Sequence, residues 1–232
     1  MISILIPIYN GIEYIDESIS SVIKQTYNEW EIIVGINGHS ENSDIFKLAK
    51  VYEEQSNNIK VFDLFYIKGK PSSLNEMIKF SSYEWIAILD VDDIWHPTKL
   101  EKQINFLNRY DVIGTKCEYF GDRTGSPNIP VGDLSNFDFF SCNPIINSSS
   151  LIKKSLCNWN NIFLDDYDLW LRLWKQNKKF YNCNEILVKH RIDKKSAFNY
   201  SNNNCVNDLL LSYSIPFTPS LVLPVSNKTF TI

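Results

Sequence analysis

Asp90, Asp92 and Asp93 close the apolar run Trp85-Ile-Ala-Ile-Leu89 and put three carboxylates within four residues. Acids this close repel one another unless a cation or solvent intervenes. Hard divalent cations take oxygen ligands, and Mg²⁺ or Mn²⁺ in phosphate chemistry commonly binds one or two carboxylates together with the phosphates themselves. The Asp-x-Asp spacing of Asp90-Val91-Asp92 suits that chemistry. It also suits a solvated acidic turn before a helix, since Pro97 fits a first helical position and Leu100, Ile104 and Leu107 continue at helical spacing. An EF-hand loop is excluded. Glu101 falls at the twelfth position from Asp90, but Ile94 and Trp95 occupy the fifth and sixth, where an oxygen ligand and a glycine are needed. A second acidic pair, Asp165-Asp166, opens the segment Phe163–Trp174, which continues as an apolar helix. Acids at a helix start commonly serve as caps or complement its dipole. Asp168 and Arg172, four apart, are expected to pair on the helix surface for roughly 0.2–0.5 kcal/mol.

These acids need a frame. The short run at Trp85, rich in branched and aromatic residues, reads as a buried parallel strand whose carboxyl end carries the carboxylates. Ser3–Asn10, Trp30–Ile36 and Lys60–Ile67 read as three further strands. Helical faces follow at Ile12, Ile15, Ile19, Val22 and Ile23; at Ile45, Leu48, Ala49 and Tyr52; and at Leu74, Met77 and Ile78 after Gly69-Lys-Pro71. Strands alternating with helices make a βαβ parallel sheet the economical solution, an α/β fold. Three polar clusters, Tyr9-Asn10, Asn37-Gly38 and Asp90 to Asp93, then share the carboxyl edge of the sheet, where nucleotides bind in such folds. Neither GxGxxG after the first strand nor GxxxxGK[ST] is present, so a metal is the candidate for holding phosphate.

Past Asp111 the pattern loosens. Gly121–Gly132 is rich in turn formers and reads as a long loop. Pro144–Ser155 suggests a strand presenting Asn147-Ser-Ser-Ser150 near the cleft, and Asn199–Asn207 reads as a flexible connection. The chain of 232 residues, 44% hydrophobic and 14% aromatic, can bury one substantial core. A net charge of −4 and a pI near 5.4, with lysines spread along the chain, argue against nucleic-acid binding. Cys117, Cys142, Cys157, Cys183 and Cys205 form no CxxC pair and point to a reducing compartment. No signal peptide is visible and no apolar stretch approaches the roughly 20 residues of a membrane span. A soluble cytoplasmic protein is expected, with any membrane contact peripheral.

Several segments occur together in a known order. Ser3-Ile-Leu-Ile-Pro-Ile-Tyr-Asn10, Ser21-Val-Ile-Lys-Gln-Thr-Tyr27, Glu31-Ile-Ile-Val34, Leu74-Asn75, Leu89-Asp-Val-Asp-Asp93 with Trp95-His-Pro97, and Asp165-Asp-Tyr-Asp-Leu-Trp-Leu-Arg172 resemble the family 2 glycosyltransferases, inverting enzymes of GT-A fold. The resemblance covers residues 1–196. It implies a nucleotide-sugar-binding half at 1–110, an acceptor and catalytic-base half at 111–196, and a C-terminal extension at 197–232. It further implies that Pro7, Tyr9, Asn37, Asn75, Asp90, Val91 and Asp92 line a nucleotide-sugar donor, with a UDP-sugar favoured, and that Asp166 is the base toward a glycan or glycoconjugate acceptor. Mn²⁺ or Mg²⁺ would lie on Asp92 and Asp93, with Asp193 or His190 completing the set. Two departures stand out: Asn37-Gly38-His39 replaces the usual Asp-Asp-Gly-Ser turn, and the metal-binding His that relatives place after an Arg is replaced here by His190-Arg191-Ile-Asp193. A non-catalytic nucleotide-sugar or glycan-binding module of the same fold is the competing reading. A nucleotidyltransferase lacks the Gly- and Arg/Lys-rich triphosphate loop it would need. The extension would pack back on the domain, mediate oligomerisation or touch a membrane surface.

Overall fold

The structure is a computed structural model that describes residues 1–193 and 203–214. Its first half follows the sequence pattern. Strands β1 (Ile2–Ile8), β2 (Trp30–Asn37), β3 (Ile59–Leu64) and β4 (Trp85–Ile88) form a parallel block in the order β3-β2-β1-β4. Every residue of β1 and β2 is buried, as for central parallel strands covered on both faces. Ile4, Ile6 and Ile8 face a core closed by α1 (Ile15–Ile23) and α2 (Asp44–Lys50). Leu5 and Ile33 face a second core closed by α3 (Lys70–Phe80). Gly35 permits this packing, because a Cβ there would lie 2.7 Å from Met77 Sδ of α3. The sheet thus holds α3 close and fixes where that helix begins.

Beyond Asp93 the topology departs from simple alternation. Strand β5 (Ile94–Trp95) precedes α4 (Lys99–Ile104), and β6 (Val112–Gly121), β7 (Gly132–Asp133), β8 (Leu151–Lys153) and β9 (Phe180–Ile192) extend the sheet as β4-β8-β6-β9-β5. β8 runs antiparallel to both β4 and β6, whereas β6 and β9 pair in parallel with a register shift at Thr115–Cys117. The polar segment expected to be a strand holds only Leu151–Lys153 in that state, and Asn147–Ser149 forms a 3-10 turn beside Asp90. The acid-headed segment becomes α5 (Asp165–Lys175) on the second core. The flexible connection expected at 199–207 is corrected in part. Asn203–Ser214 forms helix α6, and Leu209 buries against the α5 core, which gives an otherwise polar Asn-rich run a reason to be helical. The rest of that expectation, and 215–232, lie outside the described residues.

Candidate functional site

Helix α3 starts where the chain turns at Gly69, whose φ of +85° is a conformation that favours glycine, and Pro71 sits in its first turn. This presents Lys70 at a helix N-terminus, where the dipole disfavours a cation. Acids compensate. Lys70 Nζ pairs with Asp90 beyond β4, and Asp165 and Asp166 at the start of α5 also lie within its field. Lys70 is therefore held protonated. Burial alone would raise the Asp90 carboxyl, but Lys70 and the Asn147 amide outweigh it and hold Asp90 below its usual range. Asn147 Nδ2 donates to both Asp90 oxygens at 3.3 and 3.1 Å, and the Asp90 N–H donates to Ser148 Oγ at 3.1 Å.

The two acids of α5 sit opposite. Asp166 accepts from Asn143 Nδ2 at 3.2 Å and from the Tyr167 N–H at 2.7 Å, yet burial keeps its pKa raised. Asp165 is pushed up to about 7 by burial, with Asp166 and Asp90 adding to the shift against the pull of Lys70. Its Oδ2 and the Asn147 Oδ1 are buried without a hydrogen-bond partner. Unpaired buried acceptors of this kind call for an incoming O–H or N–H donor.

The rest of the acidic turn behaves differently. Asp93 is fully buried and accepts from His190 Nδ1 at 2.9 Å and from the Arg191 N–H at 2.9 Å. That carboxylate lifts His190 to about 9 in spite of the burial that would lower it. Arg191 pins the turn: its Nε donates to the Asp92 carbonyl at 3.0 Å, its Nη2 to Glu17 at 2.9 Å, and its guanidinium lies between the rings of Tyr14 and Phe120. Burial, Asp93 and Asp90 push Asp92 up to about 7. Asp193 lies just past β9, while Val91 packs beside Gly11.

At the other end of the edge, Pro7 is buried in β1 opposite Gly35. Tyr9 is 45% exposed and stacks on His39 with ring centroids 5.2 Å apart. Asn37 is only 2% exposed, and its Nδ2 has no partner among the described residues. Asn75 points elsewhere, since both of its polar atoms bond the backbone of Trp159. Arg172 and Asp168 do pair, at 2.9 Å, but Asp168 is nearly buried rather than on the surface, and Arg172 Nη2 also donates to the Asn158 carbonyl at 2.5 Å. The sequence reading missed Lys70, Asn143 and Arg191; a lysine placed against a helix dipole was the available signal for the first. Among the described residues no three His, Cys, Asp or Glu side chains are grouped to hold a metal on their own. A separate cavity of about 570 Å³ between α1 and β9, floored by Trp95, Pro97 and Leu187, includes none of Asp90, Asp165 or Asp166.

Known proteins resemble this chain in sequence and in fold. Residues 3–153 match the family model described as Glycosyl transferase family 2. The chain is 31% identical over 186 residues to UDP-Glc:alpha-D-GlcNAc-diphosphoundecaprenol beta-1,3-glucosyltransferase WfgD of Escherichia coli, covering 76% of this chain and 71% of that one. It is 29% identical over 188 residues to the putative glycosyltransferase EpsE of Bacillus subtilis, covering 75% and 67%. Residues 1–349 of S. aureus TarS in complex with UDP-GlcNAc superpose with a TM-score of 0.70 at 17% identity, over 87% of this chain and 61% of that one. The mannosyltransferase PcManGT of Pyrobaculum calidifontis in complex with GDP-Man and Mn²⁺ gives 0.66 at 13% identity, over 86% and 59%. The chain thus spans about 60% of those solved chains. With a GT-A fold, a family model matched over residues 3–153 and a relative 31% identical over most of both chains, this chain belongs to glycosyl transferase family 2.

Proposed function

We propose that the chain transfers a hexosyl or N-acetylhexosaminyl group from a nucleotide-sugar donor, of the UDP class, to a hydroxyl of a glycan or glycoconjugate, with inversion. The observation that carries this reading is the convergence of Asp90 from the sheet edge and Asp165 and Asp166 from α5 on Lys70. Donor-side and acceptor-side acids then face one another across a single cation. WfgD, by its name, uses UDP-Glc, which supports the UDP class. The unpaired Asn37 Nδ2 supports a base that offers a carbonyl acceptor, and Tyr9 supplies an exposed ring beside it.

Asp166 acts as the base. Burial raises its pKa, so the carboxylate is a stronger proton acceptor than an exposed one, while Lys70 favours its ionised form. It takes the proton of the acceptor hydroxyl as the new carbon–oxygen bond forms at the anomeric carbon and the bond from that carbon to the diphosphate breaks. The bonding pair leaves with the diphosphate, and attack from the opposite face inverts the configuration. Lys70, held protonated, contributes positive charge on the donor side.

A divalent cation fits the acidic turn in part. Asp92, lifted to about 7 by burial and by its acidic neighbours, is a group whose charge a cation would relieve, and a cation that also binds the donor diphosphate needs only one or two protein carboxylates. Asp93 is already engaged by His190 and Arg191, an arrangement in which a carboxylate orients an imidazole ligand. Asp92 would hold Mn²⁺ or Mg²⁺, with His190 or Asp193 beside it. When bound, the ion neutralises charge on the departing diphosphate. The solved PcManGT complex contains Mn²⁺, which supports this choice.

The test is thermal stabilisation by UDP, GDP, dTDP and CMP sugars with and without Mn²⁺, since a ligand that binds the folded state raises its stability. A shift confined to one nucleotide and dependent on metal is expected. Asp166→Asn should keep that shift and lose transfer; transfer equal to that of the parent would remove Asp166 from the base role.

A further inference from the structure

The segment that delivers Asp165 and Asp166 to the cleft is not a strand, so ladder hydrogen bonds do not set its position. Side chains hold it. Asn75, five residues beyond Lys70 on the same helix, donates from Nδ2 to the Trp159 carbonyl at 2.7 Å and accepts the Trp159 N–H on Oδ1 at 2.9 Å. This two-way bond admits only one orientation of the amide, because the flipped form would set N–H against N–H and oxygen against oxygen. On the far side, Arg172 holds the Asn158 carbonyl and Asp168 accepts from Asn160 Nδ2 at 2.9 Å. Three consecutive residues, Asn158 to Asn160, are thereby fixed between α3 and α5.

The consequence concerns distance across the cleft. Lys70 opens α3 against Asp90, and Asp165 follows Trp159 by six residues. The Asn75 clamp is therefore a short mechanical path from the donor side to the acid pair. It also directs both polar atoms of the Asn75 side chain, through one N–H and one carbonyl lone pair, at the loop backbone. We infer that Asn75 is a positioning residue, which sets the loop leading to Asp165 and Asp166 against Lys70 and Asp90 and does not bind the nucleotide sugar. This rests on the reading of Asp166 as the base only for its effect on turnover.

The experiment compares the parent with Asn75→Ala and Asn75→Asp. The second variant keeps the volume but places a carboxylate oxygen against the Trp159 carbonyl, so it breaks the clamp even where Asn75→Ala fails to fold. Three quantities are read: amide hydrogen exchange of the peptide spanning 157–164, the Kd of UDP with Mn²⁺, and the turnover of donor sugar. Exchange in that peptide should quicken about five- to tenfold, in line with one or two lost hydrogen bonds. Exchange in β1 and β2 should be unchanged, UDP affinity should stay within about twofold, and kcat should fall on the order of 10²-fold, as for a misplaced catalytic group. Unchanged exchange at 157–164, or a fall in UDP affinity that matches the loss of turnover, overturns the inference. A parent that binds no UDP defeats the donor assignment instead, and the exchange comparison still decides whether Asn75 holds the loop.

Discussion

Asp165 and Asp166 show how burial and charge compete at one site. Burial raises both, Lys70 draws both down, and Asp165 settles at about 7. A base works only when ionised, so activity should be lost as pH falls and Asp166 takes up a proton. The acid limb of kcat/KM is expected above the usual carboxylate range near 4, because burial raises the Asp166 carboxyl. Asp165→Asn removes the like charge beside Asp166 and should move that limb to lower pH. A pH–rate profile of the two proteins checks this; coincident limbs would mean that the two acids titrate independently. The same scale explains why roles for Asp93 and Asp92 were hard to separate from sequence. Adjacent residues of one type receive opposite treatment, Asp93 being bonded inside the protein and Asp92 crowded by its neighbours.

At the scale of elements, the long βα units were legible and the short pieces were not. Helix α4 illustrates what the periodicity of Leu100 and Ile104 could not reveal. Lys99, the first residue of α4, is fully buried, with Nζ 3.8 Å from the Trp95 ring centroid and donating to Gln103 Oε1 at 2.8 Å. Desolvation drives its pKa well below the ordinary value. The folded pKa is therefore lower than the unfolded one. Stability from this group is fully present above the unfolded pKa near 10.4 and is lost as pH falls through the folded pKa. Lys99→Met should remove that dependence, so the variant gains on the parent most at low pH and the difference narrows as pH rises toward 10. Urea midpoints at three pH values measure it, and a constant difference would show that Lys99 is not neutral in the folded chain. Gln103 gives the lysine its place, since the Gln103 amide Nε2 donates to the carbonyls of Ile113 and Ser149 at 2.8 Å each and so ties down α4.

For the whole molecule, the C-terminal helix α6 belongs to the domain through its contact with α5. Tyr213 Oη donates to the Asp168 carboxylate that also receives Asn160 and Arg172. Tyr213→Phe should cost about 1–2 kcal/mol of stability, read from urea unfolding, because a charged acceptor in a nearly buried site loses one donor. An unchanged midpoint would detach α6 from that network. The sequence by itself determined the parallel β1 to β4 block, its covering helices and the acids at the strand ends, because burial periodicity and turn chemistry are local properties written in neighbouring residues. It also carried the ordered motifs that identify the family. Only the tertiary structure decided which groups meet: Asn75 with Trp159 across 84 positions, Asp93 with His190 across 97, Lys70 with Asp90, and β6 alongside β9. Such partners are chosen by the packing of layers and the directions of side chains, and hydrophobic periodicity specifies that a residue is buried without specifying what it is buried against.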